Sequence, residues 1–82
     1  MESSSRIENL MQNKRYDQWT TDDALVWLED YLKLPQYKSN FIDLALDGTM
    51  FDFITDTDLE NDLNIKVRLH RIKITEGIKR LK

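Results

Sequence analysis

The chain has no cysteine, one histidine, two glycines and one proline among its 82 residues. Without cysteine there is no disulfide framework and no thiolate chemistry, which is compatible with an intracellular, cytoplasmic site. A single histidine, His70, excludes a multi-histidine metal centre. Scarce glycine and proline predict short loops and dominant helices. No apolar run exceeds a few residues, so nothing reads as a membrane span. Met1-Glu2-Ser3 lacks the basic and apolar regions of a signal peptide. No internal repeat is present. There is no glycine-rich phosphate loop and no serine or threonine with a base partner in a recognisable triad. The expectation is a protein that is not an enzyme and carries no cofactor and no metal.

What is present is a folded core and a divided charge. Hydrophobic residues make up 40% and aromatics 10%, enough for one small domain. A module within a longer chain is expected. The net charge of −3 conceals a split. Residues 41–65 carry seven acids (Asp43, Asp47, Asp52, Asp56, Asp58, Glu60, Asp62) and no base, a block of −7. Residues 66–82 carry seven bases (Lys66, Arg68, Arg71, Lys73, Lys79, Arg80, Lys82) and one acid, Glu76, a block of +6.

Residues 1–5 are polar and serine-rich, and a mobile start is expected there. Ser5-x-x-Glu8 has capping-box spacing, and Ile7, Leu10 and Met11 follow at helical intervals. Residues 1–15 therefore read as an N-terminal extension, either flexible or forming a short helix over about 6–14 whose apolar residues pack on the domain or bind a partner. Thr20 with Asp23 predicts a capped helix over about 21–32, with Ala24, Trp27, Leu28 and Tyr31 on its inner face. Pro35 ends it and opens a second helix with Tyr37, Phe41 and Leu44 inward. Asp47-Gly48 is a turn, and Phe51 and Ile54 fall in a short helix or turn. Thr55-x-x-Asp58 caps a helix over about 56–63, and Asn64 stops it by adopting positive φ. A last helix from about Val67 has Val67, His70, Ile74, Ile78 and Leu81 inward, with Gly77 costing about 1 kcal/mol relative to alanine. No period-two alternation is sustained, so the fold class is all-α. Trp19, Trp27, Leu28, Phe41, Leu59, Ile65, Ile74 and Ile78 are the predicted core.

In order and spacing these pieces resemble the sterile alpha motif (SAM) domain over about residues 19–82. The resemblance rests on Trp19-Thr20, Trp27-Leu28, the Tyr37 and Phe41 pair, Leu46-Asp47-Gly48, Ile54-Thr55-Asp56-Thr57-Asp58-Leu59, Leu63-Asn64-Ile65 and Leu69-His70-Arg71-Ile72-Lys73-Ile74. It implies a five-helix bundle over 16–82, with an extra N-terminal helix as an option. The chain departs from the pattern at one extra residue within 31–35, as in liprin-like and calcium-sensor SAM domains. Asn64 and Leu69 replace glycines, Asp52 stands at an often apolar position before Phe53, and Thr75 replaces an aliphatic residue.

The resemblance implies a protein-interaction module. SAM domains commonly join head to tail, an acidic mid-loop surface meeting the start of helix five of the next molecule. Here the acidic face is drawn from Asp47, Asp52, Phe53, Asp56, Asp58, Glu60 and Asp62, and the basic face from Lys66, Arg68, Leu69 and Arg71. The partner is another copy, another SAM domain, or a different signalling or scaffold protein. Two solvated faces that meet no partner are the plain alternative. Hairpin-RNA binding is the competing reading, with Lys33, Lys38, Lys66, Arg68 and Arg71 as its patch; the acidic helix beside it argues against phosphate affinity. Calcium fails because positions six and twelve from Asp56 are Asn61 and Val67, not glycine and glutamate. Membrane-surface binding fails because Ile72, Ile74 and Ile78 are needed by the core. His70 is expected to pack or hydrogen-bond near the start of helix five, with a pH switch as the sharper alternative.

Overall fold

The first strong start signal in the sequence becomes a reciprocal capping box. In the computed structural model, which describes the backbone of residues 3–82 and side chains from Arg6 onward, Thr20 Oγ1 accepts from the Asp23 N–H (3.2 Å) and Asp23 Oδ2 accepts from the Thr20 N–H (3.1 Å). Five α-helices follow one another in the described residues: α1 (Ser3–Asn13), α2 (Thr21–Val26), α3 (Lys38–Asp43), α4 (Asp56–Asn61) and α5 (Arg68–Leu81). Single 3-10 turns at Tyr16–Gln18, Pro35–Tyr37 and Gly48–Met50 join them. No strand occurs among the described residues, and the fold is an all-α bundle.

The expected helix over 21–32 continues past Val26 as a π-helical turn, Trp27–Tyr31. Its wider hydrogen-bond loop closes with the Leu32 N–H on the Trp27 carbonyl (3.1 Å) and the Leu34 N–H on the Leu28 carbonyl (3.0 Å). Lys33 then adopts positive φ, 63°. The π turn accommodates one more residue than an α turn and ends at Tyr31, where the 31–35 stretch that is one residue longer than the SAM pattern begins.

α4 is capped like α2, by Thr55 and Asp58, and stops near Asn64 at φ 58°. α3 stops at Ala45, φ 50°, a position where an L residue other than glycine is strained. The eight predicted core residues are all buried, together with Ile7, Leu32, Leu34, Leu46, Phe51 and Leu63. Trp19, Trp27 and Phe51 form the aromatic centre: Phe51 meets Trp19 edge-on at 6.1 Å and Trp27 at 5.1 Å between centroids. The Tyr16 turn lies directly over this centre. A Cβ on Gly48 would sit 1.7 Å from the Tyr16 carbonyl oxygen, so only glycine fits that crossing. Gly77 has a packing reason as well, since a Cβ there would lie 2.9 Å from both the Trp27 ring and Leu32.

Three expected inward residues are exposed instead: Tyr31, Leu44 and Val67. Each sits at the end of its helix or beyond it, where helical periodicity no longer applies. The N-terminal segment also differs from expectation. Ser3–Ser5 belong to α1, so Ser5 lies inside the helix and not at its cap; Met1 and Glu2 lie outside the described residues. Ile7 is buried and Leu10 packs against the core, but Met11 is 41% exposed. Arg6 fixes α1 to α2 with a two-pronged contact to Asp30 (2.9 and 2.8 Å) and a longer one to Glu29 (3.5 Å). Lys14 binds Asp23 at 2.7 Å.

Candidate protein-interaction faces

The acidic residues divide into those that gather at one groove and those that do not. Asp47 begins the Gly48 turn by accepting from the Thr49 N–H (3.0 Å). The capping box holds Asp58 at the start of α4. With Asp62 they line a groove of about 270 Å³ whose apolar wall includes Leu44, Met50 and Phe53. Phe53 is 74% exposed, the most exposed large apolar side chain on the described surface. A groove with an apolar wall and three carboxylates can take an aliphatic side chain flanked by cations.

Asp52 and Asp56 are engaged elsewhere, and Glu60 does not line the groove. Asp52 accepts from the Tyr16 hydroxyl (2.7 Å) and lies 3.4 Å from Lys82 Nζ. The Tyr16 hydrogen bond, joined by Lys82 and opposed by burial, holds its carboxyl below the usual carboxylate range; the same hydrogen bond pushes the Tyr16 phenol up. Glu60 gives its main-chain carbonyl to Lys66 Nζ (3.1 Å). Asp56 Oδ1 pairs with Arg71 Nε at 2.9 Å.

That last contact corrects the placement of Arg71. Read from the sequence as part of the basic surface, it is only 7% exposed. Its Nη1 donates to the carbonyls of Ile65 (3.0 Å) and Lys66 (3.1 Å) while Nε holds Asp56. It locks the 65–66 connection and α4 onto α5. Charge alone did not announce this burial, because two of its three acceptors are main-chain oxygens.

The remainder of the basic face is on the surface. Lys66 and Arg68 alternate with Val67 and Leu69, and Leu69 is 67% exposed. His70, one residue on, is held by the Tyr37 hydroxyl at Nδ1, with the rings edge to face. It fastens the start of α5 to the turn before α3. Of the patch considered for RNA, Lys38 is paired with Glu29 (3.1 Å) and Arg71 is buried. Sequence reasoning missed Leu44 and Met50 on the acidic side and Val67 on the basic side. Leu44 and Val67 had been assigned to the interior by periodicity, and no signal marked Met50. Among the described residues no group of three histidine or acidic side chains is arranged to hold a metal ion. No helix among the described residues is long and apolar enough to cross a membrane.

Over 70 residues the chain is 33% identical to the dual specificity protein kinase splA of Dictyostelium discoideum, a match covering 85% of this chain and 3% of that protein. It is 36% identical over 58 residues to human Kazrin, covering 71% of this chain and 7% of Kazrin; the mouse protein matches to the same extent. The chain thus spans a small fraction of these relatives' length. The pattern that defines the SAM domain (sterile alpha motif), a family of protein-interaction modules, matches residues 17–82. With both capping boxes, the Trp19–Trp27–Phe51 centre and the α5 docking in place along that span, the chain belongs to the SAM domain family.

Proposed function

We propose that this domain associates through two unlike faces, the α5 start of one molecule entering the acidic groove of the next. The observation that supports this most is the pairing of shapes. Leu69 is exposed at the start of α5 directly after Arg68, with Lys66 and exposed Val67 preceding it, and the groove beside Phe53 offers an apolar wall with Asp47, Asp58 and Asp62 around it. Exposed ion pairs contribute only about 0.2–1 kcal/mol each, so Leu69 supplies the buried area and the charges set orientation and on-rate. Contacts between unlike faces propagate into rings or filaments rather than closed pairs. The match inside much longer relatives supports a module that brings its parent chains together.

The test uses exposed anchors only. Leu69→Glu removes one face and Phe53→Lys the other. Asp56 is unsuitable because it holds Arg71, and Asp58 because it caps α4. By light scattering, wild type is expected to grow with concentration and shrink with salt, since screening at physiological ionic strength acts over about 8 Å. Each variant alone is expected to be monomeric, and their mixture to stop at a one-to-one dimer. A wild type that stays monomeric at high concentration and low salt refutes self-association. A pull-down with both variants then asks whether the same faces serve another protein.

A further inference from the structure

A second groove lies away from both faces, where the C-terminal ends of α1 and α5 meet over the Tyr16 turn. It has a volume of about 540 Å³. Met11, Tyr16, Trp19 and Leu81 supply its apolar surface, and the buried indole N–H of Trp19 has no hydrogen-bond partner. Its other lining includes Lys14, Arg15, Arg80 and Lys82 and no acidic side chain. We propose that this groove docks an acidic peptide segment of a partner protein, one that carries a large apolar side chain among its carboxylates.

Charge complementarity commits the site to an acidic occupant. Three of the four cations have a carboxylate of their own nearby, Asp23 for Lys14, Asp17 for Arg15 and Asp52 for Lys82. Such exposed pairs are individually weak and exchangeable. Arg80 has no ion pair among the described residues and is open to a ligand.

The end of α1 and the apolar wall favour a peptide over a bare anion. The last carbonyls of a helix lack partners within it, and the helix C-terminus carries negative partial charge. At the end of α1 the return contact is Lys14 N–H to the Leu10 carbonyl. A phosphate ion has no apolar surface to set against the Met11 wall. A peptide brings backbone N–H donors for the spare carbonyls, carboxylates on flexible side chains for the cations, and an apolar residue for the Met11 wall. Met11 is a large exposed apolar side chain on a helix that lies outside the matched SAM span.

The probe is a fluorescein-labelled peptide, Gly-Asp-Glu-Leu-Asp-Phe-Glu-Asp-Gly, titrated with the full chain and read by anisotropy. Binding with a Kd below about 1 mM is expected. Arg80→Glu and Met11→Glu are each expected to weaken it about tenfold, in the range that truncating an interface anchor reaches. Leu69→Glu is expected to leave it unchanged, which separates this groove from the α5-start face. Replacing the peptide's leucine and phenylalanine by serine is also expected to weaken it. Amide shifts in the ¹H–¹⁵N spectrum are expected around Asn13, Tyr16 and Leu81, together with the Trp19 indole N–H. The proposal is overturned by any of four results: no binding at 1 mM; equal weakening by Leu69→Glu; indifference to Arg80→Glu and Met11→Glu; or displacement of the peptide by an equal concentration of inorganic phosphate, which marks a simple anion site.

Discussion

Replacing Arg71 by alanine is expected to cost far more stability than replacing Asp56, although the two form one ion pair. Asp56 keeps 57% of its side chain exposed, so its half of the pair is screened by water. Asp56→Ala is expected to cost about 0.2–1 kcal/mol, the range of surface pairs. Arg71 is different because its guanidinium also satisfies the carbonyls of Ile65 and Lys66, and Ile65 is fully buried. Leaving a buried acceptor unpaired costs about 1–3 kcal/mol, and the arginine's packed stem is lost with it. Arg71→Ala is expected to cost about 2–4 kcal/mol. For a domain of this size each kcal/mol shifts the midpoint by about 4–8 °C. Urea and thermal denaturation of both single variants and the double variant measure this. The coupling between the two is expected to stay below about 1 kcal/mol. Equal costs for the two single variants, or a loss under about 1 kcal/mol for Arg71→Ala, refutes the assignment of Arg71 to the interior framework. A binding defect in an Arg71 variant then reads as loss of fold, not loss of a contact.

Gly77→Ala is expected to destabilise by about 1–3 kcal/mol, against the gain of about 1 kcal/mol that helix propensity alone implies; a chemical-denaturation midpoint that rises removes the packing argument at Trp27 and Leu32. Deleting residues 1–15 uncovers the site of Ile7 and is expected to cost about 1.5–3 kcal/mol by calorimetry; an unchanged midpoint rejects α1 as part of the bundle. The same deletion is expected to flatten the acid limb of the stability curve. Asp30 is held below the usual carboxylate range by hydrogen bonding to Arg6, against opposing burial. At Asp23, burial pushes up but hydrogen bonds from Lys14 and Thr20 outweigh it. A carboxyl depressed on folding contributes stability above its unfolded pKa and loses it as pH falls through the folded value. The full chain is therefore expected to lose stability more steeply than the truncated chain below about pH 4.

The elements legible in the sequence were those whose signal is local. Thr20 with Asp23 and Thr55 with Asp58 announced two helix starts because a capping box is a contact between near neighbours. Trp27, Leu28, Ile74 and Ile78 announced the core because they recur at helical spacing with the apolar residues around them. The π turn was hidden: a shift in hydrogen-bond register leaves no trace in an apolar pattern, and the extra residue appeared only as a longer connection. Arg71 was misplaced because burial of a charge depends on oxygens supplied by the 65–66 backbone. On the candidate faces, Phe53 and Leu69 were visible as large apolar residues at unusual positions. Leu44, Met50 and Val67 were not, since each lies past the reach of a helix and its exposure is decided by the fold.

The wide turn in α2 has a consequence for how this chain tolerates change in length. Glu29 and Asp30 lie within Trp27–Tyr31 and face Arg6 of α1. Losing one residue just before Glu29 would turn both carboxylates by about 100° around the helix axis. Arg6 would lose its counter-charges, and Glu29 would leave Lys38 as well. The wide turn and the preceding helix are therefore coupled: shortening the turn leaves Lys14–Asp23 as the ion pair that still ties α1 to the bundle, and removing α1 leaves Asp30 without the guanidinium that faces it.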